Sequence, residues 1–495
     1  MNIFESTRNK NLQASASLAI LNGLAEDGGL YMLKNLRNKK VDLKRILNLD
    51  YFGIAEVVLG TLLDDYSNDE IHHCVESAYR NKFTSDQITP LVPVGDDYIL
   101  ELFHGPTAAF KDVALSILPY LITTSLKKHD IKDEIVILTA TSGDTGKAAL
   151  EGFKDVEGTR IVVFYPKNGV SAVQERQMVS SAGKNVSVVA IDGNFDDAQK
   201  GVKEILTSNQ LDEVLKTNHC QLSSANSINI GRLTPQIVYY FKAYLDCVNH
   251  GTIQMGEPMN FIVPTGNFGN ILAGYCAKCL GLPVAQLVCA SNANNVLTDF
   301  IHTGNYNKNR DFKKTTSPSM DILVSSNLER LLYLLSDGNN EEVAGYMNDL
   351  KEKGEYQVKP TLLKQLQSEF YGGFCSDEQT SQVIKNVYNK THYLLDTHTA
   401  VAYGVAEEFK KAHINEYKNI ILSTASPYKF SKSVYESINK TVNTNEFEIM
   451  NLLHEETKVA IPNNLANLEH SKILHDTVIK KEDMSDYVKQ FIGGK

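Results

Sequence analysis

The chain has 495 residues, of which 42% are hydrophobic and 22% are charged. This composition is typical of a globular protein, and the length is sufficient for more than one domain with a substantial core. The formal net charge of -10 argues against nucleic acid or an anionic membrane as a partner, because such partners usually bind basic surfaces.

Cysteine usage and hydropathy predict an intracellular protein without structural disulfides. The 7 cysteines are sparse, odd in number and scattered, unlike a disulfide framework. Cys276 and Cys279 form one Cys-x-x-Cys pair. Because such a zinc site needs a second pair, we expect a buried helix over 271–280 and no metal. Residues 1–10 lack the apolar run of a signal peptide. We therefore expect a soluble, cytoplasmic protein whose partner is a small molecule.

The predicted elements change character along the chain. Residues 1–95 are predicted to be mainly helical, with an amphipathic stretch at 43–63. From residue 134 onward, short β-branched runs alternate with turns rich in small residues and with helical patterns. This alternation predicts an α/β fold with a largely parallel sheet flanked by helices. The predicted strands are 135–138, 161–165, 186–191, 261–263, 284–289 and 420–422, and the helices between them include 146–153, 171–181, 196–206 and 270–280.

The same pattern divides the remaining chain into regions. Residues 96–291 are predicted to form an α/β core, within which about 130–220 forms a smaller α/β subdomain. Over 292–392 the strand pattern fades and polar residues increase, which predicts an insertion or a lid-like subdomain. Residues 393–445 return to the core, and 446–495 are predicted to be a peripheral segment.

The first motif is the segment ELFHGPTAAFKD at 101–112. Lys111 follows a Gly-Pro turn and precedes an apolar helical stretch at 113–122. Its amine would lie near the positive end of the helix dipole, which disfavours the protonated form. Such a lysine is a candidate for forming an imine with a carbonyl compound. Taken alone, a solvated surface lysine is the commoner alternative.

The second motif, TATSGDTG at 139–146, follows a predicted strand and opens a helix. Successive backbone N–H groups, small hydroxyl residues and two glycines make a turn of this kind able to bind an anion. An ATP-binding P-loop is disfavoured, because that motif needs glycine at 141 and serine or threonine at 148, where the chain has Thr141 and Ala148.

Two further turns follow predicted strands. In PTGNFGN at 264–270, Gly266 and Gly269 would let the backbone approach a phosphate, although a purely structural turn is equally compatible. In STASP at 423–427, a hydroxyl group could face a ring nitrogen or simply form the turn. Together with Lys111, these loops fit a phosphorylated carbonyl cofactor better than they fit unrelated turns.

In combination and in order, these motifs resemble those of threonine synthases of the longer bacterial and fungal type. The resemblance includes STR at 6–8, GLAEDGGLY at 23–31, and NSIN at 226–229 with Arg232, besides the segments FHGPTAAFKD, SGDTG and GNFGN. It extends to about residue 430. The regions 292–392 and 446–495 contain no matching motif.

The resemblance implies a fold-type II pyridoxal-phosphate architecture similar to the tryptophan synthase β subunit, with the cofactor between two α/β domains. It implies that Lys111 holds the cofactor as a Schiff base and that Thr424 hydrogen-bonds the pyridine nitrogen. Asp144, where many relatives have asparagine, would lie near the ring. The residues implied to hold the cofactor phosphate are Gly266, Asn267, Phe268, Gly269 and Asn270.

The substrate side is implied by the same resemblance. The residues concerned are Thr107, Ser142, Gly143, Thr145, Asn226, Ser227, Asn229 and Arg232. The loop at 142–146 is expected to bind the substrate carboxylate, and Arg232 to pair with the substrate phosphate, because a guanidinium group can bind phosphate through two hydrogen bonds.

The implied reaction is the conversion of O-phospho-L-homoserine and water to L-threonine and phosphate, the final step of threonine biosynthesis, with Lys111 as catalytic acid and base. A related phospholyase or serine/threonine dehydratase that releases 2-oxobutyrate is the alternative, because the first steps are shared. A catalytically silent relative is disfavoured by the presence of Lys111 and both glycine-rich loops. The sequence leaves open whether the chain is a monomer or a dimer.

Overall fold

The structure is a computed structural model that describes residues 2–412, 417–439 and 441–494. Strands occur along the whole length of the chain. They are β1 (Phe4–Ser6), β2 (Asn9–Ala14), β3 (Tyr31–Leu33), β4 (Leu91–Val94), β5 (Asp97–Glu101), β6 (Glu134–Ala140), β7 (Thr159–Pro166), β8 (Val186–Asp192), β9 (Cys220–Ser224), β10 (Met259–Pro264), β11 (Val284–Ser291), β12 (Asn305–Asn307), β13 (Glu355–Gln357), β14 (Phe370–Phe374), β15 (Asn419–Ser423) and β16 (Val478–Lys480).

Helices connect most of these strands. They are α1 (Ala16–Asn22), α2 (Leu43–Ile46), α3 (Tyr51–Leu62), α4 (Asn68–Tyr79), α5 (Lys111–Lys128), α6 (Asp144–Phe153), α7 (Ala172–Val179), α8 (Phe195–Thr207), α9 (Asp212–Thr217), α10 (Ile230–Asn249), α11 (Gly269–Cys279), α12 (Val296–Thr303), α13 (Leu328–Leu335), α14 (Asn340–Glu352), α15 (Pro360–Glu369), α16 (Asp377–Thr391), α17 (Thr397–Ala412), α18 (Ser431–Ile438), α19 (Glu446–Thr457) and α20 (Met484–Gly493). Short 3₁₀ helices lie at Leu36–Asn38, Asn209–Leu211, Pro318–Met320, Pro427–Phe430, Leu468–His470 and Lys481–Asp483.

Two sheets form the centre of the molecule. The larger has the order β14-β11-β10-β15-β5-β4 and the smaller has the order β16-β8-β7-β6-β9. Within the larger sheet only the edge pair β4 and β5 is antiparallel, and the smaller sheet is parallel throughout its described strands. The predicted α/β class with parallel strands is therefore confirmed.

The predicted strands are recovered as β6, β7, β8, β10, β11 and β15. Their β-branched runs are buried along almost their whole length, as in Thr159–Pro166, because helices cover both faces of a parallel sheet. The Cys-x-x-Cys pair lies in α11, where Cys276 and Cys279 are both buried and unbridged. Among the described residues, no helix is both long enough and apolar enough to cross a membrane.

Three features differ from the sequence prediction. The helical N-terminal region also contains a small antiparallel sheet of β1, β2 and β3, two of whose strands are too short to show an alternating pattern. Strand β14 lies inside the range 292–392, expected to be an insertion, yet it is an edge strand of the larger sheet. Strand β16, from the segment expected to be peripheral, pairs with β8 of the smaller sheet.

The chain path brings several loops together between the two sheets. The connections β5 to α5, β6 to α6 and β10 to α11 each leave the carboxyl end of a strand and enter a helix. The turn after β15 contacts the first of these connections, where the Phe110 N–H donates to the Thr424 carbonyl over 2.8 Å. Ligands of parallel α/β sheets bind at such carboxyl ends.

The position of α20 predicts that the C-terminal segment contributes to stability. Ile492 is fully buried in the apolar cluster of the smaller sheet, so I492A should lower the free energy of unfolding by about 2 to 5 kcal/mol. The matched control is I473A, because Ile473 is 51% exposed and should change stability by no more than about 0.5 kcal/mol. Urea unfolding followed by circular dichroism measures both; equal stability of the two variants would contradict this packing.

Candidate active site

A cavity of about 330 Å³ lies where these loops meet. Its wall combines the start of α5, the loop before α6, the loop before α11, the start of α10 and the turn after β15. The site residues predicted from sequence that line it are Lys111, Ser142, Asp144, Thr145, Asn226, Ser227, Arg232, Gly266, Asn267, Phe268, Gly269, Asn270 and Thr424.

Lys111 is the first residue of α5, as the sequence predicts. Its Nζ lies 3.4 Å from the Ser319 Oγ and 3.5 Å from the Asp144 Oδ2. Burial lowers the pKa of the Lys111 amine, and the nearby charge of Asp144 opposes that shift. A lowered pKa favours the neutral form of a lysine amine, which is the form that acts as a nucleophile and as a base.

The turn before Lys111 is fixed by the side chain of Asp112. Its Oδ2 accepts from the Thr107 N–H over 2.8 Å, and its Oδ1 accepts from the Thr107 hydroxyl over 2.6 Å. Burial raises the pKa of Asp112 to about 6, and the hydrogen bonds from Thr107 oppose the rise. The start of α5 is thereby held in one conformation.

The loop before α6 folds around the hydroxyl group of Thr141. That oxygen accepts from the N–H groups of Gly143 and Gly146, both over 2.9 Å. Asp144 then begins the helix, and its Oδ1 accepts from the Gln174 Nε2 over 2.9 Å and from the Lys429 Nζ over 2.8 Å. Burial alone would raise the pKa of Asp144, but Lys429 and Lys111 hold it well below its ordinary value.

The loop before α11 has the features of a phosphate cradle. Phe268 precedes the helix in the left-handed conformation, with φ of 61°, and its side chain does not cap the first turn. The unsatisfied N–H groups of a helix start attract anions. Tyr239 and Tyr240 both donate to the Asn270 Oδ1, whereas the Asn270 Nδ2 is buried without a hydrogen-bond partner among the described residues.

Two buried arginines near the cavity differ in their hydrogen bonding. Arg330 donates to the carbonyls of Tyr31 and Ile228 and to the side chain of Asn327. Arg232 donates from Nη1 to the Ala225 carbonyl over 2.9 Å, but its Nε is buried without a partner among the described residues. Burial lowers the pKa of Arg232 to about 10. This guanidinium lines the cavity and has hydrogen-bonding capacity left for an anion.

A histidine that the sequence did not single out also lines the cavity. The His398 Nε2 accepts from the Ser319 N–H over 3.2 Å, and its Nδ1 lies 3.0 Å from the buried Asp396 Oδ1. Because Nε2 accepts, the ring proton lies on Nδ1 and is donated to Asp396. His398 therefore positions Ser319, which in turn contacts Lys111.

Three predicted site residues do not line the cavity. Thr107 is bound to Asp112, and Asn229 caps α10 through its Oδ1 while its Nδ2 donates to the Ile20 carbonyl. Gly143 lies against the side chain of Gln174, which a Cβ would meet at 2.4 Å. These residues fix the shape of the loops, and the structure gives them no contact with the cavity.

Other residues of the cavity wall were missed by the sequence. Ser319, Met320 and Val324 come from the region expected to be an insertion, where no motif signals a site. Lys429, which does not line the cavity but pairs with Asp144, was missed as well, although it follows the hydroxyl-rich turn by only a few residues. The signal in the sequence that could have identified Lys429 is a basic residue close to a hydroxyl-rich turn.

Comparison with known proteins identifies the family. The family model "Pyridoxal-phosphate dependent enzyme" matches residues 88–424, "Threonine synthase N terminus" matches 3–79, and "Threonine synthase, C-terminal" matches 399–492. The threonine synthase of Pseudomonas aeruginosa is 37% identical over 471 residues, which cover 94% of this chain and 96% of that protein. Human "Threonine synthase-like 1" is 38% identical over 434 residues, which cover 85% of this chain but only 58% of that protein.

Solved structures agree with these matches. The crystal structure of pyridoxal-phosphate-bound threonine synthase from Brucella melitensis superimposes with a TM-score of 0.87 at 35% identity, covering 99% of each chain. The fold and the cavity define a fold-type II pyridoxal-phosphate enzyme, and pyridoxal phosphate is its cofactor. Within this class, the chain belongs to the threonine synthase family.

The packing of the loop before α11 predicts that a side chain added at Gly266 weakens cofactor binding. A Cβ on Gly266 would lie 2.6 Å from the Ser319 carbonyl oxygen, so G266A must displace the loop and should weaken cofactor affinity roughly tenfold or more. In the control G60A, the Cβ meets nothing within 4 Å inside α3, so affinity should be unchanged. Titration of the cofactor-free protein with pyridoxal phosphate, followed by absorbance, measures both; unchanged affinity in G266A would argue against the cradle.

Proposed function

We propose that this protein is a threonine synthase, which converts O-phospho-L-homoserine and water to L-threonine and phosphate. The observation that carries the proposal is one cavity that joins the Lys111 amine, an uncapped helix start and the incompletely bonded guanidinium of Arg232. Two separate groups suited to anions match a phosphorylated cofactor together with a phosphorylated substrate.

The residues of the cavity fit pyridoxal phosphate. We propose that the N–H groups of the loop 266–270 and the Nδ2 of Asn270 hold its phosphate, because these donors have no other partner among the described residues. The Lys111 amine would hold its aldehyde carbon, and Thr424 would donate to its ring nitrogen. Asp144 would lie beside the ring, next to Lys111.

When bound, the cofactor supplies the electron sink that makes protons on the substrate carbon chain acidic. Lys111 then acts as the base and acid: it removes protons from the substrate Cα and Cβ, and protons are delivered at Cγ, from which phosphate leaves, and at Cα, while water adds at Cβ. Its position at the start of α5 and its lowered pKa favour the neutral form of the amine, which is the form that acts as a base. The hydroxyl group of Ser319 lies 3.4 Å from the Lys111 Nζ and would hold the amine between proton transfers.

We propose that Arg232 binds the substrate phosphate and orients it for departure from Cγ. Asn226 and Ser227 lie on the same wall and add neutral hydrogen-bonding groups. The loop with Ser142 and Thr145 would hold the substrate carboxylate near the start of α6. Substrate held at both ends keeps its Cα, Cβ and Cγ close to Lys111.

We propose that the protein works in the cytoplasm. Among the described residues all cysteines are unbridged and buried, which fits a reducing compartment. Burial raises the pKa of several of these thiols, for example Cys74 to about 11 and Cys289 to about 12, so they are poorly reactive.

The direct test is a product assay. Purified protein with bound pyridoxal phosphate should release phosphate and L-threonine from O-phospho-L-homoserine in equal amounts over time. Phosphate release with 2-oxobutyrate in place of threonine would instead establish a phospholyase and would contradict the proposal.

The role of Lys111 is tested in the same assay. K111A should abolish turnover, because the amine that moves the protons is lost, while its circular dichroism spectrum stays close to that of the wild type. Borohydride reduction of the wild-type protein should attach the cofactor to the peptide that contains Lys111. Near-normal turnover in K111A would overturn the assignment.

The role of Arg232 predicts a defect in substrate use. R232M should lower kcat/KM roughly 10- to 100-fold, because a buried hydrogen bond to a charged group contributes about 1.5 to 3 kcal/mol. R37M is the control, since Arg37 pairs with Asp337 at the surface. Steady-state kinetics with O-phospho-L-homoserine measures both. Equal kcat/KM in R232M and R37M would exclude the phosphate-binding role.

A further inference from the structure

Lys429 is a buried cation to which the proposed reaction gives no role. It lies in the 3₁₀ helix Pro427–Phe430, and its side chain is 0% exposed. Burying an ammonium group is costly unless it is paired and hydrogen-bonded. In this protein the Nζ lies 2.8 Å from the Asp144 Oδ1 and donates to the Thr107 carbonyl over 2.9 Å.

These contacts join three separate segments of the site. Thr107 belongs to the turn before α5, Asp144 begins α6, and Lys429 follows the turn after β15. The other oxygen of Asp144 faces Lys111 over 3.5 Å. Asp144 is therefore a single carboxylate between two ammonium groups, one on each oxygen.

This arrangement decides how strongly Asp144 affects Lys111. A carboxylate paired with Lys111 alone would stabilise the protonated amine and would keep it from acting as a base. With Lys429 on its second oxygen, the same carboxylate is already neutralised. The cavity wall also contains Arg232, whose positive charge acts on Lys111 in the same direction as that of Lys429.

We propose that Lys429 is a positioning residue that works through Asp144: it neutralises and orients this carboxylate, so that Lys111 can give up its proton at neutral pH. This inference rests on the proposed role of Lys111 as the residue that holds the cofactor. Lys429 itself is not among the described residues that line the cavity, and its ion pair is with Asp144.

The other charged groups near the pair are few among the described residues. Asp112, below the turn before α5, is a second carboxylate that interacts with Lys429. Lys147, one turn along α6, is paired with Glu151 and donates to the Ser181 hydroxyl. His398 reaches Lys111 only through Ser319.

The test is the pH titration of the holoenzyme by visible absorbance, which reports proton loss from the Lys111 nitrogen that carries the cofactor. In K429M this midpoint should rise by roughly one pH unit, because a like charge is removed and Asp144 is left to act on Lys111 alone. The rate at which the cofactor-free full chain takes up pyridoxal phosphate should show the same shift in its pH dependence, because uptake needs the neutral amine.

Two further variants make the result specific. D144N should lower the midpoint, because the carboxylate that favours the protonated nitrogen is lost. K147M is the matched control, since Lys147 is a buried lysine of the same region whose charge Glu151 already balances, and its midpoint should stay at the wild-type value. A purely structural role for Lys429 would change stability without moving the midpoint.

The inference stays testable if K429M does not fold. The double variant K429M/D144N removes both members of the buried pair, which is far less costly than removing one. Because Lys429 acts through Asp144, its removal should no longer move the midpoint once residue 144 is neutral, so the midpoint of the double variant should stay close to that of D144N. A midpoint that does not rise in K429M, or one that rises by about one pH unit from D144N to the double variant, overturns the inference.

Borohydride reduction and peptide mapping separate this inference from the proposed function. Cofactor attached to Lys111 together with an unmoved midpoint would reject the role of Lys429 and leave the proposed function intact. Absence of a Lys111 adduct in the wild-type protein would overturn both.

Discussion

The proposed reaction depends on keeping the buried amine of Lys111 available as a base. An amine in water is protonated at neutral pH, and burial is the largest cause that lowers the pKa of Lys111. A buried amine also needs surrounding loops whose polar groups are for the most part hydrogen-bonded. The hydrogen bonds of Asp112 to Thr107, and of Thr141 to its own loop, meet this requirement.

The parallel sheets bring the groups of the site together. The strands β5, β6, β10 and β15 all end at the same region between the sheets. Each connection that follows brings a different chemical group: an amine, a carboxylate, an uncapped helix start and a hydroxyl group. The helix start and Arg232 leave hydrogen-bonding capacity that the described residues do not use. Unused donors of this kind are costly in a folded protein, and a bound anion offsets that cost.

Local sequence patterns predicted much of this arrangement. The β-branched runs predicted six strands, since burial on both faces leaves a clear apolar signal. The segments around Lys111 and Gly266 were each ambiguous alone, and they were predicted as site loops because in combination they fit a phosphorylated carbonyl cofactor. Thr107 and Asn229 were predicted to contact substrate, but their side chains bind protein groups instead. A motif identifies the loop, whereas the direction of each side chain depends on the neighbours it meets.

The sequence by itself determined the class of fold, the strands of both sheets that carry a strong apolar pattern, and the residues of the glycine-rich loops. The tertiary structure alone decided that Asp144 is shared between Lys111 and Lys429, that Ser319 reaches the amine, and that β16 completes the smaller sheet. The physical reason is the separation along the chain of the residues that interact. Strand and turn preferences act between neighbouring residues, whereas charge pairing and edge-strand addition depend on where distant parts of the chain meet.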